Sequence, residues 1–212
     1  MHQSLPYTIR PMEPGDVTTV AAIERLSFPT PWPASSFLYE LRHNTRSCYC
    51  VLLKPTMGEA ALSGQGWRRR LRRLVGLPEE SRVIGYVGFR LHDAEAHIST
   101  IAVHPDWRGK GLGELLLLTA MEKALELEVG VVTLEARASN RVAHHLYRKY
   151  GFRFNGTQRG YYRDGENAWL MEFKVDRDAC QARLTGLRQR LEVRLRRQQR
   201  AHFSSGAIAT AP

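Results

Sequence analysis

A glycine-rich segment in the middle of the chain has the composition of an anion-binding turn. It follows a strand-like run rich in Val, Ile and Ala and opens a strongly periodic helical segment. Glycines let the backbone approach an anion closely, and a helix N-terminus presents unpaired N–H groups with the positive end of its dipole. The segment therefore suits a diphosphate, and two of its side chains add positive charge. It comprises Arg108, Gly109, Lys110, Gly111, Leu112 and Gly113.

The glycine spacing excludes two common nucleotide-binding motifs. Gly109, Gly111 and Gly113 alternate, whereas the dinucleotide motif has the spacing G-x-G-x-x-G. The Gly-Lys-Ser/Thr sequence of a P-loop is also missing from the segment. On the glycines alone, a plain surface turn before an amphipathic helix remains an equal alternative.

The surrounding sequence resembles the GNAT acetyltransferase superfamily, and more narrowly its RimI-like branch. Residues 101–105 (Ile-Ala-Val-His-Pro) and 107–113 (Trp-Arg-Gly-Lys-Gly-Leu-Gly) are similar to that family's coenzyme A motif. The resemblance extends over about residues 6–175, without residues 55–81. Further matching pieces are Ile23-Glu24, Pro31-Trp32, residues 134–140, Ala143, Leu146-Tyr147, Gly151-Phe152 and Tyr161-Tyr162.

The resemblance implies a role for each matching residue. Ile101, Ala102 and Val103 would lie beside the pantetheine arm of acetyl-CoA, and residues 108–113 would hold its pyrophosphate. Asn140 would bond the cofactor, Glu135 would be the general base, and Tyr147 the general acid. The loops that carry Trp32, Tyr161 and Tyr162 would flank the groove that admits a peptide.

These residue types suit acetyl transfer to an amine. An α-amine has a pKa of about 7.7–8.0, so a carboxylate is needed to take its proton at neutral pH. Glu135 lies on a predicted strand with Thr133 and Arg137 on the same face. Tyr147 follows Asn140 by two helical turns, so both share one helix face. One strand and the next helix would therefore supply base, cofactor contact and acid.

Each candidate also has a plainer interpretation. Glu135 would be a solvated strand residue or a partner of Arg137, Tyr147 a core tyrosine, and Asn140 a helix cap. His97, which alternates with Glu95, would be a structural histidine or a secondary proton carrier. Trp32 and the Tyr161-Tyr162 pair would be ordinary core or loop aromatics.

The hydrophobic pattern predicts an α/β fold. The resemblance implies that the sheet is mixed and mostly antiparallel, has six or seven strands flanked by helices, and has its central parallel pair splayed around a cleft. Strands are predicted at 6–11, 47–53, 82–91, 94–103, 131–137, 152–161 and 168–175, and helices at 15–28, 35–43, from 112, and at 140–150. The domain would span residues 1–175, with a basic insertion at 55–81. Residues 176–212 would form a basic helical extension and tail.

The charge of the chain is strongly positive and unevenly placed. The formal net charge is +10, with five arginines in Arg68–Arg73 and seven in Arg183–Arg200. Such blocks bind ribosomes, RNA or acidic lipids, or they form solvated helix faces. Leu184, Leu187 and Leu191 have heptad-like spacing, which raises self-association as an option.

The remaining composition is that of a globular protein. The three cysteines form no C-x-x-C pair, and no histidine, cysteine, aspartate or glutamate cluster has metal-ligand spacing, so we expect neither a disulfide scaffold nor a metal. No uninterrupted apolar stretch is long enough to cross a membrane, and a cytoplasmic location is expected.

The sequence thus predicts an acetyl-CoA-dependent transferase that acts on a protein N-terminus, with the N-terminal alanine of ribosomal protein bS18 as the expected acceptor. Another acceptor, such as other N-termini, a lysine or a small amine, is the first alternative. A non-catalytic ribosome- or RNA-binding module with the same fold is the second.

Overall fold

The computed structural model describes residues 5, 7–55 and 82–206. Nearly all of the predicted insertion, including Arg68–Arg73, therefore lies outside the described residues. The strands are β1 (Thr8–Pro11), β2 (Ser47–Leu53), β3 (Val83–His92), β4 (Glu95–Val103), β5 (Val131–Arg137), β6 (Arg153–Gln158) and β7 (Ala168–Lys174). The α-helices are α1 (Val17–Ser27), α2 (Ala34–His43), α3 (Leu112–Glu126), α4 (Arg141–Lys149) and α5 (Arg177–Gly206), and short 3-10 turns cover Pro14–Asp16 and Pro105–Trp107.

The strands form one seven-stranded sheet in the order β1-β2-β3-β4-β5-β7-β6. All neighbours are antiparallel except β4 and β5, which run parallel. The parallel pairing extends only from Glu95–Val131 to Ile98–Leu134, so the two strands part over their carboxyl-terminal halves. The predicted sheet and its splayed central pair are confirmed.

A β-bulge in β4 changes which side chains face each side of the sheet. Gly88 of β3 pairs with Thr100, but the next residue, Phe89, pairs with Ile98, so Ser99 is an extra residue. Ile98 packs in the core on the α3 face, whereas Ala102 packs in the core on the α1 face. An inserted residue reverses the two-residue alternation of a strand. The bulge lies where β4 separates from β5.

Helices α1 and α2 cover one face of the sheet. Val20 and Ile23 of α1 and Phe37 of α2 are almost fully buried against β2 and β3. The Phe37 ring meets that of Tyr86 at 5.7 Å between centroids, edge to face. The chain between these helices carries Trp32, whose backbone is held to α1. This layer positions one side of the region where β4 and β5 part.

Helix α3 covers the opposite face, and α5 packs on α3. Leu115, Leu116 and Leu118 are buried in the main core beneath the sheet. Three leucines of α5, namely Leu184, Leu191 and Leu195, are buried in the same core. Leu187 is partly buried against it. The heptad-like spacing therefore reflects packing within the chain, and the self-association interpretation is wrong for these leucines.

Candidate active site

Glu135 lies on β5 just beyond the last residue that pairs with β4. Its Oε2 atom is 3.2 Å from Nε2 of His97 on β4. The hydroxyl of Tyr161 donates to the same oxygen at 3.4 Å. The Glu135 side chain is 21% exposed, so it is reachable from solvent yet held on two sides. The suggested pairing with Arg137 is wrong, because Arg137 bonds other carboxylates.

Further polar side chains extend from His97 along the paired, amino-terminal parts of β4 and β5. His97 Nδ1 lies 3.0 Å from Oγ1 of Thr133, which in turn donates to the carboxylate of Glu95. The hydrogen bond with Glu135 raises the pKa of His97 above its ordinary value, against the opposing effect of burial. One histidine and one threonine therefore connect Glu135 with the carboxylate of Glu95 through successive polar contacts.

The turn between β6 and β7 carries Tyr161 and Tyr162 and is held by Arg137. The guanidinium of Arg137 donates to Asp164 at 2.8 Å and to Glu166 at 2.6 Å. Its Cζ atom also lies 4.0 Å from the centroid of the Tyr162 ring. Ser139 donates its backbone N–H to Glu166 at 2.9 Å, and these bonds lower the pKa of Glu166 to about 2. The turn is thereby fixed beside Glu135.

Helix α4 places the other predicted catalytic residue and the predicted cofactor contact. Asn140 is the N-cap of α4, and its side-chain oxygen accepts the N–H of Ala143 at 3.1 Å. The capping interpretation of Asn140 is therefore confirmed. Tyr147 is buried, with its ring 5.8 Å from that of Phe152, and burial raises the pKa of its hydroxyl. That hydroxyl stays protonated at neutral pH, as an acid must.

The glycine-rich segment forms the turn that enters α3. Gly109 and Gly111 have φ angles of 76° and 81°, in the left-handed region where a side chain is strained. Gly111 is the N-cap of α3, so the backbone N–H groups of Leu112 and Gly113 lie in the first turn. The turn thus has two glycines in left-handed conformations and leads directly into the N-terminus of α3, and its anion-binding role stays a prediction.

The two basic side chains of this turn bond to protein groups. Arg108 donates to the carbonyl of Val103 at 3.0 Å and to Oγ of Ser27 at 2.9 Å. Lys110 donates to the carbonyl of Asp106 at 3.3 Å, and its Nζ lies 4.6 Å from the Trp107 ring centroid. Arg108 thus ties the end of β4 to α1 in addition to bringing charge near the turn.

The last residues of β4 border the gap between the strands. Ile101 is partly buried, whereas Ala102 and Val103 are buried. None of the three pairs with β5, because that ladder ends at Ile98. Their backbone therefore faces the opening next to the turn that enters α3.

Trp32 lies on the chain between α1 and α2, above the buried carboxylate of Glu24. The backbone N–H of Trp32 donates to Glu24 at 3.1 Å, and the Trp32 ring lies 5.6 Å from that of Phe37. Glu24 also accepts from the hydroxyl of Tyr86 and, at 3.5 Å, from Thr100. Burial raises the pKa of Glu24 to about 7.

Residues 5, 7–55 and 82–206 contain neither a group of side chains suited to a metal ion nor a membrane-spanning helix. No group of three or more histidine, cysteine, aspartate or glutamate side chains there is arranged to bind a metal ion. Among the helices of this part of the chain, none combines the length and the apolar character that a membrane crossing requires.

The described part of the chain combines a mixed sheet whose parallel pair parts, a glycine turn that enters a helix, and a carboxylate where the strands part. Residues 18–152 match the model of the acetyltransferase (GNAT) family, and the chain belongs to that family of N-acetyltransferases.

Similar proteins of this family include N-terminal acetyltransferases. The chain is 32% identical over 164 residues to a putative [ribosomal protein bS18]-alanine N-acetyltransferase of Bacillus subtilis, covering 77% of this chain and 92% of that protein. It is 30% identical over 175 residues to the N-alpha-acetyltransferase RimI of Mycobacterium tuberculosis, covering 78% and 91%.

A solved structure agrees with these relatives. The ribosomal-protein-S18-alanine N-acetyltransferase of Escherichia coli superposes with a TM-score of 0.62 at 25% identity, covering 80% of this chain and 94% of that chain. The predicted resemblance to RimI-like enzymes is confirmed.

Several residues of the site could not be given their role from the sequence. The sequence places Thr133 on the same face as Glu135 and alternates Glu95 with His97, but it does not show that the two strands are neighbours that bring these four residues together. The resemblance includes Glu24 without giving it a role. Arg137 is predicted only as a partner of Glu135, because the spacing within β5 says nothing about the turn that follows Gln158.

Proposed function

We propose that this N-acetyltransferase transfers the acetyl group of acetyl-CoA to the N-terminal α-amine of a protein, with the N-terminal alanine of ribosomal protein bS18 as its acceptor. The contact between Glu135 and His97, at the point where β4 and β5 part, carries the proposal. Glu135, a proton acceptor, lies there beside an open gap that is bordered by the backbone of the two strands. The names of the similar bacterial proteins supply the acceptor.

The residues present fit acetyl-CoA. The first-turn N–H groups after Gly111 suit a diphosphate, and Asn140 and the β4 residues 101–103 border the gap that a pantetheine arm would follow. When bound, acetyl-CoA supplies an activated acetyl thioester. The backbone N–H of Val103 would polarise the thioester carbonyl.

Proton transfer would follow the polar side chains that extend from Glu135 along the paired parts of β4 and β5. Glu135 takes the proton of the incoming amine, directly or through water, and His97 accepts it next. Thr133 and Glu95 continue this line toward the surface. Tyr147, whose hydroxyl stays protonated, delivers a proton to the departing thiolate. No covalent bond to the enzyme is required.

The acceptor would enter between the Trp32 segment and the turn that carries Tyr161 and Tyr162. Tyr161 is exposed and its hydroxyl bonds Glu135, which supports a contact between Tyr161 and an amine that approaches this carboxylate. Burial raises the pKa of Tyr162 to about 12, so both phenols remain neutral hydrogen-bonding groups. A ribosomal acceptor would place the reaction in the cytoplasm.

Mass spectrometry of a synthetic bS18 N-terminal peptide tests the assignment. We expect one acetyl group on the α-amine with the wild type and about a hundredfold slower reaction with Glu135→Gln. A matched peptide whose N-terminus is blocked but which keeps an internal lysine should remain unmodified. Reaction with that lysine, or with spermidine but not the bS18 peptide, would replace the proposed acceptor. Absence of acetyl-CoA turnover with every amine would favour a non-catalytic module.

The arginines of α5 support contact with ribosomal RNA as a further part of this proposal. Arg183, Arg190 and Arg197 are exposed and recur every seventh residue, which places them along one side of the helix. The second block, Arg68–Arg73, lies outside the described residues. Ribosome co-sedimentation that falls steeply with salt and is lost on changing the three α5 arginines to glutamine would support it. Unchanged co-sedimentation of the triple variant would remove it.

A further inference from the structure

Helix α5 lies outside the residues that match the family model, yet it reaches the predicted cofactor turn. The match ends at residue 152, and α5 covers Arg177–Gly206. Near its start, Arg177 pairs with Glu128, just past the end of α3. Further along, Arg194 pairs with Glu114 in the first turn of α3. The two helices are thus antiparallel, and α5 carries its arginines toward the N-terminus of α3.

Arg194 is in direct contact with the glycine-rich turn. A Cβ atom built on Gly111 would lie 3.0 Å from one guanidinium nitrogen of Arg194 and 3.4 Å from Leu191. The absence of a side chain at Gly111 therefore allows α5 to approach the backbone that caps α3. The Arg194 side chain is 41% exposed, so its guanidinium is still accessible to a ligand.

Positive charges outnumber negative charges among the ion-paired side chains beside this turn, which favours the binding of an anion. Glu114 receives Arg194 at 2.7 Å and also Lys149 at 2.6 Å, so two cations share one carboxylate. Both cations lie beside the positive end of a helix dipole, where cations are unfavourable and anions favourable. The hydrogen bonds from these two residues lower the pKa of Glu114, although burial opposes them, so the carboxylate stays ionised. A bound anion would relieve the remaining excess of positive charge.

We propose that α5 is part of the coenzyme site and that Arg194 supplies a cationic contact for the phosphates of coenzyme A at the N-terminus of α3. The inference rests on the proposed function, because it assumes that the turn at residues 108–113 holds that coenzyme. It assigns a binding role to a helix that the family match does not include. Arg194 acts by attracting phosphate and by neutralising Glu114, which would otherwise repel it.

Calorimetric titration of the full chain with coenzyme A tests this role. Arg194→Gln should bind coenzyme A about tenfold more weakly than the wild type, because one positive charge near the phosphates is lost. The matched control is Arg177→Gln, an exposed arginine at the other end of α5 that also pairs with a carboxylate, and its affinity should stay within about twofold of the wild type. The difference between wild type and Arg194→Gln should shrink as salt is raised.

Glu114→Gln separates a binding role from a structural one. It removes the same ion pair but leaves Arg194 free, so coenzyme A should bind as tightly as to the wild type or more tightly. A purely structural tie predicts that both variants bind more weakly, and that result would overturn the proposal. Equal affinities of Arg194→Gln and Arg177→Gln would also overturn it. Thermal unfolding without ligand shows whether each variant is folded.

Dephospho-coenzyme A, which lacks the 3′-phosphate, identifies the phosphate concerned. If Arg194→Gln weakens both ligands equally, the contact is to the diphosphate; if only coenzyme A is affected, it is to the 3′-phosphate. Either pattern supports the proposal. Failure of the wild type to bind either ligand would instead refute the proposed function, so the two failures are distinguishable.

Discussion

Nε2 of His97 lies 3.2 Å from Oε2 of Glu135, across the only parallel strand pair of the described sheet. His97 is one residue before the last paired position of β4, and Glu135 is one residue after the last paired position of β5. The contact therefore joins the paired part of β4 and β5 to the open part. This position couples the protonation of the histidine to the carboxylate that faces the gap.

His97→Gln should change stability in a pH-dependent way. The contact with Glu135 raises the pKa of folded His97 above the unfolded value of about 6.5, so protonated His97 stabilises the fold. This contribution is complete below about pH 6.5 and is lost as the pH rises through the folded pKa. Urea unfolding should show that the wild type exceeds the variant in stability by more at pH 6 than at pH 9. A difference that does not vary with pH would contradict the pairing.

Tyr147→Phe should lower turnover while leaving cofactor binding intact. The substitution keeps the buried ring that packs near Phe152 and removes only the hydroxyl assigned as the acid. We expect a ten- to hundredfold fall in kcat, of the order that proton transfer contributes, with coenzyme A affinity within about twofold. Steady-state kinetics and calorimetry measure the two quantities. Tyr39→Phe, at an exposed position, is the control, and an unchanged kcat in Tyr147→Phe would refute the acid role.

Glu24→Gln should be best tolerated at high pH. Burial raises the pKa of Glu24 from 4.5 to about 7, so between these values the folded chain holds a proton that the unfolded chain has released. Wild-type stability must therefore fall as the pH rises from about 4.5 through 7, by up to about 3 kcal/mol. The variant has no such proton to lose. Its free energy of unfolding, relative to the wild type, should increase between pH 5 and pH 8.

The exposed Glu126→Gln serves as the control for Glu24→Gln, and it should show no comparable change in relative stability. If Glu24→Gln and Glu126→Gln gave parallel curves from pH 5 to pH 8, the buried carboxylate would not titrate in this range.

Arg137→Gln should weaken acceptor binding more than coenzyme binding. Arg137 fixes the turn of Tyr161 and Tyr162 through Asp164 and Glu166, and removing it frees that turn beside Glu135. We expect the acceptor KM to rise by about tenfold, because the turn must be ordered on binding. Coenzyme A affinity should change by less than about twofold. Arg163→Gln, an exposed arginine in the same turn, should leave both unchanged, and an equal effect of the two variants would exclude the clamping role.

The fold could be predicted from the sequence because its hydrophobic periods are clear. The alternation in 131–137 and the leucine stripe from Leu112 correspond to β5 and α3 within a residue or two. The strand predicted at 152–161 ends at Gln158 instead, since the polar residues after it form the turn that Asn167 and Arg137 hold.

The candidate site was only partly predictable, because contacts between strands depend on register. The resemblance to the family gave Glu135, Asn140 and Tyr147 their predicted roles. The approach of His97 depends on the parallel pairing of β4 with β5, which residue spacing does not set. Likewise, the stripe of leucines on α5 fits either a partner chain or the chain's own α3. The position of Arg194 beside Gly111 follows only once that helix is placed.

The parting of β4 and β5 leaves two internal strand edges facing each other. Exposed strand edges are templates for association with other chains, and proteins usually cover or close them. The ladder between the two strands ends at Ile98 and Leu134, so a coenzyme bound beyond these residues would add cover to both edges. Ligand occupancy should therefore make the enzyme more resistant to aggregation during storage, in addition to preparing it for transfer.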